Sequence, residues 1–220
     1  MIVTLDGPAG AGKSTTARAL AARLGWCYLD TGAMYRTVAL VALEQGISLG
    51  DAAALATLAA SLPIRFDAGR VLVGDRDVSE TIRTERVTKA TRPVADTVAV
   101  REAMKHLQRR LAQGLDIVTE GRDQGSEVFP QAELKVFLTA SPEERARRRH
   151  REELARGAAL SLEAVRASQL QRDEGDRSRP VGAMRAASDA VLFQTDELSP
   201  EDVLARLVEL VEARRSQELG

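Results

Sequence analysis

The chain has 220 residues, 44% of them apolar, and its 31 lysines and arginines against 32 aspartates and glutamates leave a net charge of −1. That length suits one α/β domain with an elaboration and a sizeable core, while the even charge balance offers no global field to nucleic acid or to an anionic membrane surface. A single cysteine, Cys27, excludes an internal disulfide and points to a reducing, cytoplasmic setting.

The elements follow in order. Ile2–Asp6 is a β-branched apolar run that reads as a buried strand, and a core strand beginning at residue 2 leaves no room for a signal peptide. Gly7-Pro8-Ala9-Gly10-Ala11-Gly12-Lys13-Ser14 then fits G-x-x-x-x-G-K-[ST] in full, and Thr15 opens an Ala-rich helical segment. A glycine-rich turn between strand and helix curls its N–H groups round an oxyanion, and the helix dipole adds positive potential there. Lys13 would neutralise β/γ-phosphate charge and the Ser14 hydroxyl would ligate Mg²⁺, so the chain is expected to bind a nucleoside triphosphate. The second strand is expected at 27–29, where Trp26 and Tyr28 beside Cys27 predict a buried, unreactive thiol.

Residues 52–60 are Ala/Leu-rich and helical in pattern. Two short strands around 64–66 and 71–73, with a turn at 67–69, suggest a small antiparallel sheet over 62–81. The stretch 83–110 returns as helix, interrupted at Pro93. Further core strands are expected at Ile117–Glu120, Leu134–Thr139 and 190–195, and alternation with helices argues for a parallel sheet covered on both faces. The tail Pro200–Glu218 carries Val203, Leu204, Leu207, Val208 and Val211 at helical spacing, a core-packing stripe. No run approaches the roughly 20 apolar residues of a membrane span.

Two charged constellations stand out. Glu120-Gly121-Arg122-Asp123 closes the third core strand, and ligands of doubly wound sheets sit outside the carboxyl ends of the strands. Glu120 could there orient Mg²⁺ or its water shell and Arg122 could reach a phosphate; the bland alternative is a solvated ion pair worth at most about 1 kcal/mol. After Ser141-Pro142, a cap and first-turn pair, comes the arginine-rich run 144–151, then Arg172, Asp176 and Arg179. These last three fall at i, i+4 and i+7 and would share one helical face. Charged helices are usually solvated faces, which is the expectation for Arg145 and Arg147. Phosphoryl transfer, however, requires fixed cations round the moving group, which suits Arg172 and Arg179.

Together the phosphate loop, Asp30-Thr31-Gly32-Ala33-Met34-Tyr35-Arg36, Ser79-Glu80-Thr81-Ile82-Arg83, Glu120-Gly121-Arg122-Asp123, Val128-Phe129-Pro130 and Arg172-x-x-x-Asp176-x-x-Arg179 resemble the bacterial cytidylate kinases, in order over nearly the whole chain. The resemblance implies a P-loop NTPase-type α/β fold with a five-stranded parallel core (1–50, 112–145, 185–220), a monophosphate-binding insert (about 51–111) and a helical lid (about 146–184). It implies transfer of the ATP γ-phosphoryl group to CMP or dCMP with Mg²⁺, by a cytoplasmic monomer engaging neither nucleic acid nor membrane. On that resemblance Gly7 to Thr15 hold ATP, with Ser14 and Glu120 serving the metal. Thr31 and Arg36 hold the CMP phosphate. Arg122, Arg172 and Arg179 share the phosphates with Lys13, Asp176 takes the ribose hydroxyls, and Arg101 and Asp123 read cytosine. Arg92 stands where the family has a serine in the cytosine pocket; it could cover O2, point away, or loosen discrimination against UMP. Gly175 also interrupts a lid run that is usually charged. A broader pyrimidine or small-metabolite kinase is the nearest alternative, and a nucleotide-dependent switch a more distant one.

Overall fold

In a computed structural model, which describes residues 1–67, 69–155, 157 and 159–218, the chain runs β1 (Ile2–Asp6), α1 (Lys13–Leu24), β2 (Cys27–Asp30), α2 (Thr31–Glu44), α3 (Ala52–Ser61), β3 (Ile64–Asp67), β4 (Arg70–Val73) and β5 (Arg76–Asp77). It continues through α4 (Glu85–Asp96), α5 (Val98–Ala112), β6 (Ile117–Glu120), β7 (Leu134–Thr139), α6 (Pro142–Ala155), α7 (Leu162–Arg177), β8 (Val191–Gln194) and α8 (Pro200–Glu218). The expected strands at Ile2–Asp6, Ile117–Glu120 and Leu134–Thr139 form with those limits. The last strand is shorter than expected, at Val191–Gln194. Ala68, within the expected turn of the insert, lies outside the described residues, as do Arg156 and Ala158 of the expected lid.

Two compact units divide the chain: Met1–Tyr28 with Leu115–Gly220, and Leu29–Gly114. Among the described residues, five strands form one sheet in the order β2-β6-β1-β7-β8, and the β1–β6, β1–β7 and β7–β8 pairings are parallel. The chain moves to one side of β1 for β2 and to the other for β7, so the order reverses at β1, whose carboxyl end opens into the phosphate loop. Such reversal points are where open α/β sheets bind ligands. The core of this first unit is apolar and fully buried, with Val3, Leu5, Leu20, Val118, Leu138 and Leu207 at its centre. Helix α8 supplies Val203, Leu207 and Val211 to it, as its stripe predicts.

Cys27 is a correction: its side chain is exposed rather than buried. It is the first residue of β2, an edge strand of the sheet, and although it shares a face with Leu29, only Leu29, further along the strand, is covered.

In the second unit β3, β4 and β5 form an antiparallel three-stranded sheet among the described residues. Helix α4 packs on α2, and α5 on α3. The helical stretch after residue 83 breaks at Thr97, not at Pro93, which lies inside α4. An interior proline costs a hydrogen bond and about 3 kcal/mol. Here its ring is on the solvent side, while Val87, Ala90 and Val94 bury a continuous face across it. Thr97 takes an extended conformation (ψ 114°) and its hydroxyl donates to the Pro93 carbonyl at 2.9 Å, ending one helix and starting the next.

Candidate active site

The phosphate loop follows from where its backbone must pass. Gly7 has φ +142°, and a Cβ there would stand 2.0 Å from the Leu138 carbonyl oxygen on β7. No other residue fits, because the obstruction is backbone. Beyond the loop Lys13 opens α1 almost fully buried, with Nζ donating to the Pro8 carbonyl at 2.8 Å. Burial, then the Arg122 guanidinium and that of Arg172, pull the Lys13 ammonium down to about 7. Glu120 and Asp6 act in the opposite sense without cancelling these effects, so an anion arriving beside Lys13 would favour its charged form. The Ser14 hydroxyl donates to Glu120 Oε1 at 3.1 Å. A hydroxyl and a carboxylate are the hard oxygen donors Mg²⁺ takes, usually one or two from protein with the rest from phosphates and water, so these two residues fit that ion.

On the other side of β6, Arg122 Nε donates to Asp176 Oδ2 at 2.7 Å, and Arg179 reaches Asp176 Oδ1 at 2.9 Å. The three expected phosphate and ribose residues Arg122, Asp176 and Arg179 are therefore one cluster, with Arg172 near enough for its charge to act on both Lys13 and Asp176. Burial alone would raise Asp176; Arg122 and Arg179 outweigh it and hold the carboxyl below its usual range. One expectation needs correction. Arg179 does not share a helical face with Arg172 and Asp176, because α7 ends at Arg177. The chain then folds back, with Met184 N–H donating to the Asp176 carbonyl at 2.7 Å, and Arg179 reaches Asp176 from the turn. Asp123 is buried beside this cluster's loop.

The second unit holds the remaining predicted residues. Asp30 caps α2 by accepting from Ala33 N–H at 2.9 Å, which places Thr31, buried, in the first turn. Arg36 donates to Thr88 Oγ1 at 2.7 Å and to the Ile82 carbonyl at 3.3 Å. Arg101 is buried, donates to the Ala95 carbonyl at 3.1 Å and stands over the Tyr35 ring with its guanidinium carbon 5.5 Å from the centroid. Arg92 lies on the exposed side of α4, with Nε 3.7 Å from Asp96 Oδ2.

Comparison with known proteins gives the chemistry a family. The cytidylate kinase family matches residues 3–213 of this chain. The chain belongs to the cytidylate kinase family. The cytidylate kinase of Rhodopirellula baltica is 52% identical over 211 residues, covering 96% of this chain and 92% of that protein. That of Exiguobacterium sibiricum is 50% identical over 96% of each. A bifunctional pantoate ligase/cytidylate kinase of Trichormus variabilis is 45% identical over 98% of this chain, which spans 42% of that longer protein. Among solved structures, a Thermus thermophilus protein (TM-score 0.51, 23% identity, 97% of this chain and 96% of that one) shares the fold.

Within this cytidylate kinase, Asp6, Asp173 and Arg145 are among the buried charges that sequence reasoning did not single out as site residues. Asp6 closes β1 and accepts from Gln124 N–H at 2.9 Å and Gly125 N–H at 2.7 Å; burial nevertheless pushes its carboxyl up to about 7. Asp173 and Arg145 are both buried and paired at 2.6 Å. Arg145 thus departs from the solvated face expected of it, whereas Arg147 conforms. The acid closing an apolar strand was a usable signal for Asp6. Arg145 sits in a run of arginines that gave none. Among the described residues no helix is long and apolar enough to cross a membrane.

Proposed function

We propose that this cytidylate kinase transfers the γ-phosphoryl group of ATP to CMP or dCMP, yielding CDP or dCDP and ADP, as a Mg²⁺-dependent cytoplasmic monomer of pyrimidine nucleotide metabolism. The observation that supports it best is Lys13, buried in the phosphate loop within the field of Arg122 and Arg172. Asp176, Glu120 and Asp6 offset part of this positive field, and phosphates would supply the rest of the negative charge.

Gly7 to Thr15 wrap the ATP phosphates, and Lys13 bonds the β/γ oxygens. Ser14 and Glu120 would hold Mg²⁺, which would supply further positive charge to the phosphates. Arg122, Arg172 and Arg179 spread over the equatorial oxygens of the moving group, where arginine's fork gives two parallel bonds. Asp176 exchanges part of its contact with Arg122 and Arg179 for ribose hydroxyls. No general base is required, because the attacking phosphate oxygen is already ionised near neutrality (second pKa about 6). Thr31 and Arg36 receive the CMP phosphate. Arg101 donates to cytosine N3 and Asp123 accepts from the N4 amine, whereas uracil reverses both polarities and leaves buried groups unpaired. Among the described residues Arg92 makes an exposed pair with Asp96, worth less than about 1 kcal/mol, so substrate can recruit it at little cost.

The test is steady-state ADP release with Mg·ATP against CMP, dCMP, UMP, AMP, GMP and shikimate. Turnover confined to CMP and dCMP is expected. Comparable rates with UMP would show that Arg92 has opened the pocket, and no monophosphate-stimulated turnover would overturn the assignment.

A further inference from the structure

The Arg145–Asp173 pair has no part in the chemistry above, yet it is the most completely buried ion pair described in the molecule, with side chains 4% and 0% exposed. Its surroundings explain why it can be. Asp173 Oδ2 accepts from Arg145 Nη1 at 2.6 Å, and Oδ1 accepts from the N–H of Ala9, in the phosphate loop, at 3.2 Å. Arg145 Nη1 also donates to the carbonyl of Ala9 at 2.9 Å, and Nε donates to the carbonyl of Ala140 at 3.1 Å. One residue of the phosphate loop is therefore gripped by both its backbone groups, one from α7 and one from α6. Gln169, one turn before Asp173 on α7, donates to the Arg145 carbonyl at 3.3 Å. The fit is close: a Cβ on Gly10 would stand 2.5 Å from Gln169 Nε2 and 3.3 Å from Arg145 Cβ.

Buried ion pairs add little net stability over apolar packing of the same volume, but their bonds are directional and specify register. The register set here is that of α7 against the phosphate loop. The same helix carries Arg172, next to Asp173, and Asp176 three residues on. Resting on the phosphotransferase reading above, we infer that Asp173 and Arg145 are positioning residues for phosphoryl transfer, a clasp that fastens α7 to Ala9 and so keeps Arg172 beside Lys13. Displacing a group from its reacting partner by about 1 Å can cost on the order of 100-fold in rate. A clasp of this kind acts on kcat rather than on substrate affinity.

The experiment is a double-mutant cycle of Asp173→Asn and Arg172→Ala, read as kcat and KM for ATP and CMP, well below each variant's unfolding temperature. Asp173→Asn keeps the shape and an acceptor for Ala9 but loses the charge. We expect it to lower kcat roughly 10- to 100-fold with KM values within about 3-fold of the parent. In the Arg172→Ala background it is expected to cost less than about 2-fold, because the group it positions is gone. Unchanged kcat in the folded variant, or the same loss in both backgrounds, overturns the clasp. If Asp173→Asn does not fold, Arg145→Lys takes its place in the cycle, keeping the charge while losing the fork that spans Ala9 and Ala140. The same variants are also assayed for ATP hydrolysis with water as acceptor. Failure of wild-type turnover with CMP would then reject the substrate reading, while the hydrolysis cycle still decides the clasp.

Discussion

Arg122 and Asp176 meet at 2.7 Å although 54 residues separate them, joining the loop after β6 to the last turn of α7. The carboxylate faces a second guanidinium, Arg179, at 2.9 Å. Two cations proposed to share phosphate oxygens are thus both held by one anion between them. Hydrogen bonds to charged groups are worth about 1.5–3 kcal/mol.

Asp176→Asn is therefore expected to lower kcat/KM for CMP by about 10- to 100-fold, at about 1.4 kcal/mol per tenfold. The variant should also change acid stability. The folded-state pKa of Asp176 is held down, so its contribution to stability is present above the unfolded value near 3.8 and is lost as pH falls through the lower folded value. Acid titration followed by circular dichroism should show a shallower acid limb in Asp176→Asn; identical limbs would contradict this.

Ser14→Ala removes the hydroxyl that pairs with Glu120 at 3.1 Å. The concentration of Mg²⁺ needed for half-maximal turnover should rise by roughly 10- to 100-fold, the usual range for a lost metal-site partner. Glu120→Gln should move it in the same direction. A Mg²⁺ titration of ADP release decides; an unchanged midpoint in both variants would remove these residues from the metal site.

Asp6 links the fold to pH in the opposite sense. Its carboxyl is pushed from 3.8 up to about 7 by burial, so the folded state binds more protons than the unfolded one between those values. Stability falls as pH rises from about 4 to 7 and is level above, by up to about 4 kcal/mol at about 1.4 kcal/mol per unit. Chemical denaturation at a series of pH values should show that slope in the wild type and its loss in Asp6→Asn. A slope that survives in the variant belongs to other groups.

Gln108 is fully buried in α5, and neither Oε1 nor Nε2 has a hydrogen-bond partner among the described residues. An unsatisfied buried polar group costs about 1–3 kcal/mol. Gln108→Met, similar in volume and apolar, should stabilise the protein by about 1 kcal/mol or more, seen as a higher Tm with turnover retained. A lower Tm would mean the amide is satisfied in solution.

The sequence carried most of the fold because its signals are local. β1, β6 and β7 read to the residue, since each is a short apolar run ended by a charged or loop-forming residue. Pro93 misled because a residue's own preference is only a prior: the buried face of Val87, Ala90 and Val94 carries α4 through it, and the break falls at Thr97. Arg179 was placed on the wrong element for a related reason. A spacing of seven matches a helix, but the same contact is made from a turn once Met184 bonds back to Asp176.

The phosphate loop was determined by contiguous residues alone, because its shape is a backbone property and Gly7, Lys13 and Ser14 act from fixed places along it. The ionic partnerships were not. Arg145 sits in a run of arginines that differ little in sequence, and only the packing of α6 against α7 chooses which of them leaves water. Burial is a property of surfaces brought together from distant parts of the chain. The role of a charged residue is accordingly settled by the tertiary structure, which decides whether it is solvated at the surface or enclosed with a partner.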